Sequence, residues 1–306
     1  TPELPEWQDA AWLAREQLPS WREALVRLHS PAGEIDLAPQ TPHVRRLAYD
    51  ELLAHQLAMA QRKADRRREP AAKITPAEIS AKIRTDLPFA LTGAQERALA
   101  DIRHNFAAGE RMSRLVQGDV GSGKTGVAML AMADVAAGGG QSALMAPTEI
   151  LARQHFETIS GPLAQHGIAA ILLTGRDKGA ARAEKLRALA SGTAQVAVGT
   201  HALFQDDVGF QNLQLAVIDE QHRFGVAERQ RLQAKGQAVH LIAMSATPIP
   251  RTLELTVYGD LDVSRIDEKP PGRTLVATRA VPTSRLDEIE ARLRDAIAHG
   301  AQAFWI

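Results

Sequence analysis

Short apolar runs separated by stretches of helical period set the layout of this chain. Leu115-Val116, Ser142-Ala143-Leu144-Met145, Ile171-Leu172-Leu173, Val196-Ala197-Val198, Leu215-Ala216-Val217-Ile218 and Leu241-Ile242-Ala243-Met244 are too short for helices and read as buried strands. Between them, residues 124–137, 149–166, 178–191 and 226–235 read as helices, and Gly138-Gly139-Gly140 ends the first of these. Regular alternation of strand and helix predicts an α/β fold: a parallel sheet covered by helices on both faces. In such sheets ligands sit at the turns that follow the carboxyl ends of the strands.

The flanks carry different patterns. Trp7, Ala11, Leu13, Leu18, Trp21, Leu25 and Leu28 recur at helical intervals interrupted by Pro5, Pro19 and Pro31, and Val44 to Arg68 predicts a longer helix. That helix ends in Arg62-Lys63-Ala64-Asp65-Arg66-Arg67-Arg68, expected to be a solvated helix end or, functionally, a contact for phosphates or an acidic partner. Thr75 before Pro76 predicts a helix start, and Thr92 is expected to cap a helix from Glu96 to Ala108. Beyond the linker Lys269-Pro270-Pro271-Gly272, a strand (275–278), a helix (284–299) and a strand ending at Ile306 are expected to begin a second α/β domain. The expected organisation is a helical accessory segment over 1–72, a sheet domain over 73–268 and the start of a second domain over 269–306.

Composition narrows the classes. With 36 basic and 36 acidic residues the net charge is zero, so nucleic-acid binding has to come from a local basic surface. The chain has no cysteine, which excludes disulfides and thiolate metal sites and fits a reducing cytoplasm. No apolar run is long enough to span a membrane.

The chemistry centres on Gln117-Gly118-Asp119-Val120-Gly121-Ser122-Gly123-Lys124-Thr125, which fits G-x-x-x-x-G-K-[ST]. Glycines at 118, 121 and 123 let successive N–H groups curl into one concavity for phosphates. Lys124 brings charge to the β- and γ-phosphates, and the Thr125 hydroxyl is placed to ligate Mg²⁺. The loop sits between a strand and a helix, whose N-terminus would face the phosphates. A second motif, Leu215-Ala216-Val217-Ile218-Asp219-Glu220-Gln221-His222, is an apolar strand ending in adjacent carboxylates. Asp219 is expected on the metal side and Glu220 as general base, a pair that points to ATP hydrolysis rather than nucleotide binding alone.

Taken with these motifs, the chain resembles the superfamily 2 helicases and translocases. Asp219 through Val226 is similar to the subgroup of RecG-type branched-DNA helicases and transcription–repair coupling translocases. Leu87 through Gln95, Met145 through His155, Gly199 through Phe204, Ser245 through Thr252, Tyr258 through Asp262 and Pro270 through Thr274 favour the RecG type. The resemblance runs from about residue 5 to the end. It implies a RecA-like sheet domain, ATP and Mg²⁺ as nucleotide and cation, and forked or branched DNA as partner for a monomeric, nucleoid-associated bacterial protein. Residue by residue it implies adenine recognition by Gln95, DNA contacts by Thr148, Thr200 and His201, and coupling of nucleotide state to DNA grip by His222, Ser245 and Thr247. Thr148, Thr200 and Ser245 are equally suited to plain capping or turn formation, and His222 to a satisfied loop role. His155 and His166 read as surface helix residues, and Gly126 departs from a better helix former by up to ~1 kcal/mol.

The resemblance further implies a DNA wedge before residue 1 and most of a second motor domain after residue 306, including an arginine worth on the order of 10³-fold or more in comparable reactions. Residues 1–306 alone are therefore expected to turn over little ATP. Two other readings stay open at this level: a transcription–repair translocase, and a phosphate-loop module that only binds nucleotide.

Overall fold

A computed structural model describes residues 4–220, 232, 234–247, 259–268 and 278–305. The chain divides into two compact units, Thr1–Pro270 and Pro271–Ile306.

Seven strands form the sheet of the first unit: β1 (Ser113–Gly118), β2 (Gln141–Met145), β3 (Ala170–Leu173), β4 (Val196–Gly199), β5 (Leu213–Ile218), β6 (His240–Ser245) and β7 (Asp262–Ile266). They are ordered β3-β4-β2-β5-β6-β1-β7, and every neighbouring pair is parallel. Both faces are covered, which is why the strands read as unbroken apolar runs. Leu144, Val198, Val217 and Ile242 face helices α5 (Gly93–Ala108), α6 (Lys124–Ala137) and α7 (Glu149–Gln165). The alternate residues Ala143, Ala197, Ala216 and Leu241 pack instead with Leu189 of helix α8 (Gly179–Ala190), with residues 202–204 and with Leu232. Each fully buried Leu, Ile or Val contributes about 1.5–3 kcal/mol of apolar transfer, so this two-sided core dominates stability. Helix α6 is buried continuously from Val127 to Val135 and forms the centre of its layer.

The register brings the strand ends level. Gln117 lies opposite Ser245, and Met145 lies opposite both Gly199 and Ile218. The Asp219 amide donates to Met145 O at 2.8 Å and the Ala146 amide to Gly199 O at 2.9 Å, which stitches the carboxyl ends into one rim.

Six strands occupy the predicted places; the seventh is a finding. The sequence Asp262-Val263-Ser264-Arg265-Ile266 has no apolar run, yet it pairs with β1 at the sheet edge. Its polar side chains are used: Ser264 Oγ accepts from Arg114 at 2.7 Å and donates to Asp101 at 2.6 Å.

Preceding the sheet are α1 (Ala10–Arg15), α2 (Trp21–His29), α3 (Pro42–Arg68) and α4 (Glu78–Asp86). Helix α2 begins with a Ser20–Glu23 capping box. In α3, the buried Arg46 reaches Glu6, Asp50, Gln8 and the Pro19 carbonyl, which ties the layer together. Two expectations change here. Helix α4 starts after Ala77, not at Thr75: the buried Asp134 accepts the Ala77 amide at 2.9 Å and pairs with Arg103 at 2.8 Å, so a side chain from α6 supplies the cap. The basic end of α3 is mostly neither solvated nor open to a partner. Lys63 and Arg67 pair with Asp262 at 2.7 and 3.0 Å, and Arg66 pairs with Asp260. Burial would raise the Asp262 carboxyl, but the hydrogen bonds and charges of Lys63 and Arg67 hold it below its ordinary value. Arg62 and Arg68 remain exposed to solvent.

In the second unit a 3-10 turn (Thr283–Arg285) leads into α9 (Leu286–Ala298), close to the predicted helix and with no buried residue. Residues 301–305 form no strand, contrary to expectation; a strand requires a ladder partner, and none is present among the described residues of this unit. Most of the expected strand over 275–278 and most of the expected helix over 226–235 lie outside the described residues. Among the described residues no helix is long and apolar enough to cross a membrane.

Candidate functional site

The rim at the carboxyl ends of the strands collects nearly all the sequence-predicted chemistry. Strand β1 delivers the glycine-rich loop, β5 delivers Asp219 and Glu220, and β6 lies between them and delivers Ser245 and Thr247.

Gly118 and Gly123 of the loop are held to glycine for different reasons. At Gly118 a Cβ would lie 2.5 Å from Ser122 Oγ and 2.9 Å from the Ile266 carbonyl, so the edge strand leaves no room. Gly123 has φ +84 and ends the loop as N-cap of α6. A Cβ there would come within 2.2 Å of Gln95 Nε2. Ser122 Oγ is buried without a hydrogen-bond partner among the described residues, a hydroxyl in the phosphate cradle with capacity in reserve. Asp119 and Val120 at the loop tip are exposed.

Lys124 Nζ donates to the carbonyls of Gly118 at 2.6 Å and Asp119 at 2.9 Å, so the ammonium lies inside the loop. Burial pushes its pKa down, while Asp219, Glu220 and Asp119 oppose the shift through their charges. The opposing charges place both carboxylates of the second motif within electrostatic reach of the loop lysine.

Gln95 is buried in the first turn of α5. Its Oε1 accepts the Thr92 amide at 2.8 Å and its Nε2 donates to Ser122 O at 2.7 Å, a capping box that also anchors the loop. One N–H and one lone pair of the amide remain uncommitted for the adenine contact that the family resemblance implies.

Asp219 is nearly buried, and each oxygen has a partner. Oδ1 accepts the Glu220 amide at 3.0 Å and Oδ2 is 2.6 Å from His155 Nε2. Glu220 itself sits at φ +50, a left-handed conformation that costs a non-glycine residue about 1–3 kcal/mol and concentrates at functional sites.

His155 is the residue that sequence reasoning misplaced. Far from being a surface histidine, it leaves only 13% of its side chain exposed and bridges Asp219 to Thr125, with Nδ1 3.4 Å from Thr125 Oγ1. Its helical spacing with Ala152, Ile159 and Leu163, all buried, was the available signal. His166 is also partly buried, with Nε2 3.0 Å from Asp86.

Thr125 and Asp219 offer a hydroxyl and a carboxylate, hard oxygen donors that suit Mg²⁺ shared with phosphates and water. Among the described residues no cluster of three or more His, Asp or Glu side chains could hold a metal by itself.

Ser245 Oγ and Thr247 Oγ1 lie 3.0 Å apart, and Thr247 O accepts Gln117 Nε2 at 3.2 Å, so this segment touches the residue that opens the loop. Thr148 is exposed and caps α7 through the Leu151 amide at 3.3 Å. His201 is exposed, but Thr200 is only 4% exposed. Thr200, at the end of β4, is the more buried of these two expected DNA contacts. His222 lies outside the described residues, as do Pro248 through Thr252.

Comparison with known proteins agrees with this geometry. The DEAD/DEAH box helicase profile matches residues 92–256. The chain is 48% identical over 294 residues to the ATP-dependent DNA helicase RecG of Escherichia coli strain K12, covering 93% of this chain and 42% of that protein. It is 44% identical over 293 residues to the protein of the same name from Bacillus subtilis strain 168, covering 95% and 42%. A solved structure of RecG bound to a three-way DNA junction superposes with a TM-score of 0.81 at 39% identity, covering 98% of this chain and 40% of that one. The chain thus spans less than half the length of these relatives, and its sheet is RecA-like.

Proposed function

The chain belongs to the DEAD/DEAH box helicase family, and from that premise we propose that it is the ATP-binding motor segment of a DNA helicase acting on branched DNA such as forks and Holliday junctions, in repair and recombination. The observation that carries this reading is the convergence of Lys124, Thr125, Asp219 and Glu220 on one rim of the sheet, with exposed Thr148 and His201 along the same rim. Lys124 binds the β/γ-phosphates, and Gln95 reads adenine with its free amide capacity. Thr125 and Asp219 would hold Mg²⁺, which would supply charge neutralisation for the phosphates. Glu220 takes the proton of the attacking water. Ser245 and Thr247 pass the state of the loop, through Gln117, to the DNA-facing edge. The branched substrate and the bacterial, nucleoid-associated setting rest on the similarity to RecG, and a monomer is the simplest motor consistent with them.

ATP hydrolysis by the protein containing this segment, measured without DNA and with linear or forked duplex at equal nucleotide concentration, tests the reading. Hydrolysis stimulated most by the fork is expected. A rate indifferent to DNA would overturn the motor assignment, and equal stimulation by linear duplex would overturn the branched substrate.

A further inference from the structure

His155 holds the two residues expected to meet the nucleotide's cation, and it does so from a different element than either. Thr125 stands in the first turn of α6, Asp219 at the end of β5, and His155 in the second turn of α7. The ring bridges them, with Nε2 2.6 Å from Asp219 Oδ2 and Nδ1 3.4 Å from Thr125 Oγ1. A carboxylate can only accept, so Nε2 carries the hydrogen. In the neutral ring Nδ1 then accepts from the Thr125 hydroxyl. That arrangement turns the hydroxyl hydrogen towards the imidazole and leaves the oxygen lone pairs for a cation. It also fixes the plane of Asp219, whose other oxygen is held by the Glu220 amide at 3.0 Å.

We propose that His155 is a positioning residue that sets Thr125 and Asp219 as oxygen donors for the divalent cation of the bound nucleotide. The inference rests on the nucleotide site proposed above. Its placement is rigid: Ala152, Ile159 and Leu163 bury the same side of α7, and Thr148 caps the helix. Residues one shell out from a metal typically change its affinity by about 10–100-fold when removed.

The test is the affinity of the protein for a fluorescent ATP analogue as a function of Mg²⁺, read by anisotropy, with no turnover required. His155→Phe keeps the ring bulk and removes both nitrogens; His155→Gln keeps a donor and an acceptor on one side chain. In His155→Phe the Mg²⁺ concentration for half-maximal tightening should rise by about 10-fold or more. Affinity in EDTA should stay at the wild-type level, and His155→Gln should recover part of the loss. His155→Ala reads the same quantity should the larger ring impair folding, which a thermal melt reports. A wild-type Mg²⁺ dependence in His155→Phe or His155→Ala, or equal weakening with and without Mg²⁺, would overturn the positioning role. A wild-type protein that binds the analogue with no Mg²⁺ dependence would instead overturn the nucleotide-site reading beneath it.

Discussion

Gln141 and His240 at the amino end of the sheet, and the loop residues at its carboxyl end, treat their polar groups in opposite ways. At the amino end, Gln141 opens β2 with every side-chain group used: Nε2 donates to Leu189 O at 2.9 Å and Ala194 O at 2.7 Å, and Oε1 accepts the Asn212 amide at 2.9 Å. His240 opens β6 in the same manner, accepting the Met112 amide at Nδ1 and donating from Nε2 to Ala72 O. At the carboxyl end, Ser122 Oγ is buried without a partner among the described residues, Lys124 is turned onto its own loop, and Glu220 is held at positive φ. Buried polar groups are normally satisfied, and the exceptions call for a reason. Full satisfaction marks a group whose task is to hold the fold. Capacity in reserve and positive φ are not sufficient by themselves, since Ser142 Oγ in β2 is also buried without a partner among the described residues and Ala238 before β6 has φ +48; at Ser122, Lys124 and Glu220 they coincide with the convergence of charged groups on one rim. The distinction predicts different failures: variants at the carboxyl end lose chemistry and keep the fold, and variants at the amino end do the reverse.

The largest effects are expected from the carboxyl end. Glu220→Gln preserves size and hydrogen bonding but not the base, so turnover should fall by about 10²–10⁴-fold. Nucleotide binding and melting temperature should stay near the parent values. Lys124→Ala removes the loop's positive charge and should lower turnover by about 10²–10³-fold while also weakening nucleotide binding. Steady-state kinetics alongside thermal melts check both. Near-parental turnover in either variant would remove that residue from the chemistry, and a collapsed melt would blur the contrast between the two ends.

At the amino end the sign reverses. Gln141→Leu leaves the Ala194 carbonyl and the Asn212 amide without their side-chain partner, while the Leu189 carbonyl keeps the Gly192 and Gln211 amides. Leaving such groups unmade costs about 1–3 kcal/mol each, partly relieved by relaxation, so a loss of about 2–4 kcal/mol of unfolding free energy is expected. Turnover per folded molecule should be unchanged. A urea titration and a rate normalised to folded protein separate these outcomes.

Most of this was legible in the sequence for a physical reason: a strand buried on both faces has to be a short apolar run, and a phosphate loop has to be glycine, lysine and threonine at fixed spacing. What stayed hidden depends on contacts distant in sequence. Strand β7 lacks the apolar run because its polar residues are satisfied across long separations, Asp262 by Lys63 and Arg67, and Ser264 by Arg114 and Asp101. The same ion pairs overturn the reading of the α3 basic run, since a run of cations does not reveal that two aspartates at the sheet edge face it. His155 was misread likewise: 64 residues separate it from Asp219, and one histidine in a helix says nothing about what lies opposite.

The smallest predicted effect is also the most specific to the amino end. His240 is fully buried, against Phe106 with ring centroids 4.9 Å apart, and it joins residues 72 and 112 to the sheet. Burial pushes its pKa below the ordinary 6.5; the Ala72 carbonyl opposes the shift and the Arg111 charge adds to it. Protonation would also force the Met112 amide to face an N–H, because Nδ1 could no longer accept. The folded pKa therefore lies below the unfolded one. The unfolded state binds more protons as pH drops through 6.5, and stability present above that value is lost on the way down to the folded pKa. One proton sets the ceiling on the slope at about 1.4 kcal/mol per pH unit. Chemical unfolding at pH 7.5 and 5.5 should show this loss in the parent, and His240→Asn, which does not titrate, should show a smaller one. The difference between the two isolates His240 from the other histidines and from the carboxylates that titrate at lower pH. An identical pH dependence in parent and variant would mean that this neutral histidine does not hold the amino end in the way its hydrogen bonds suggest.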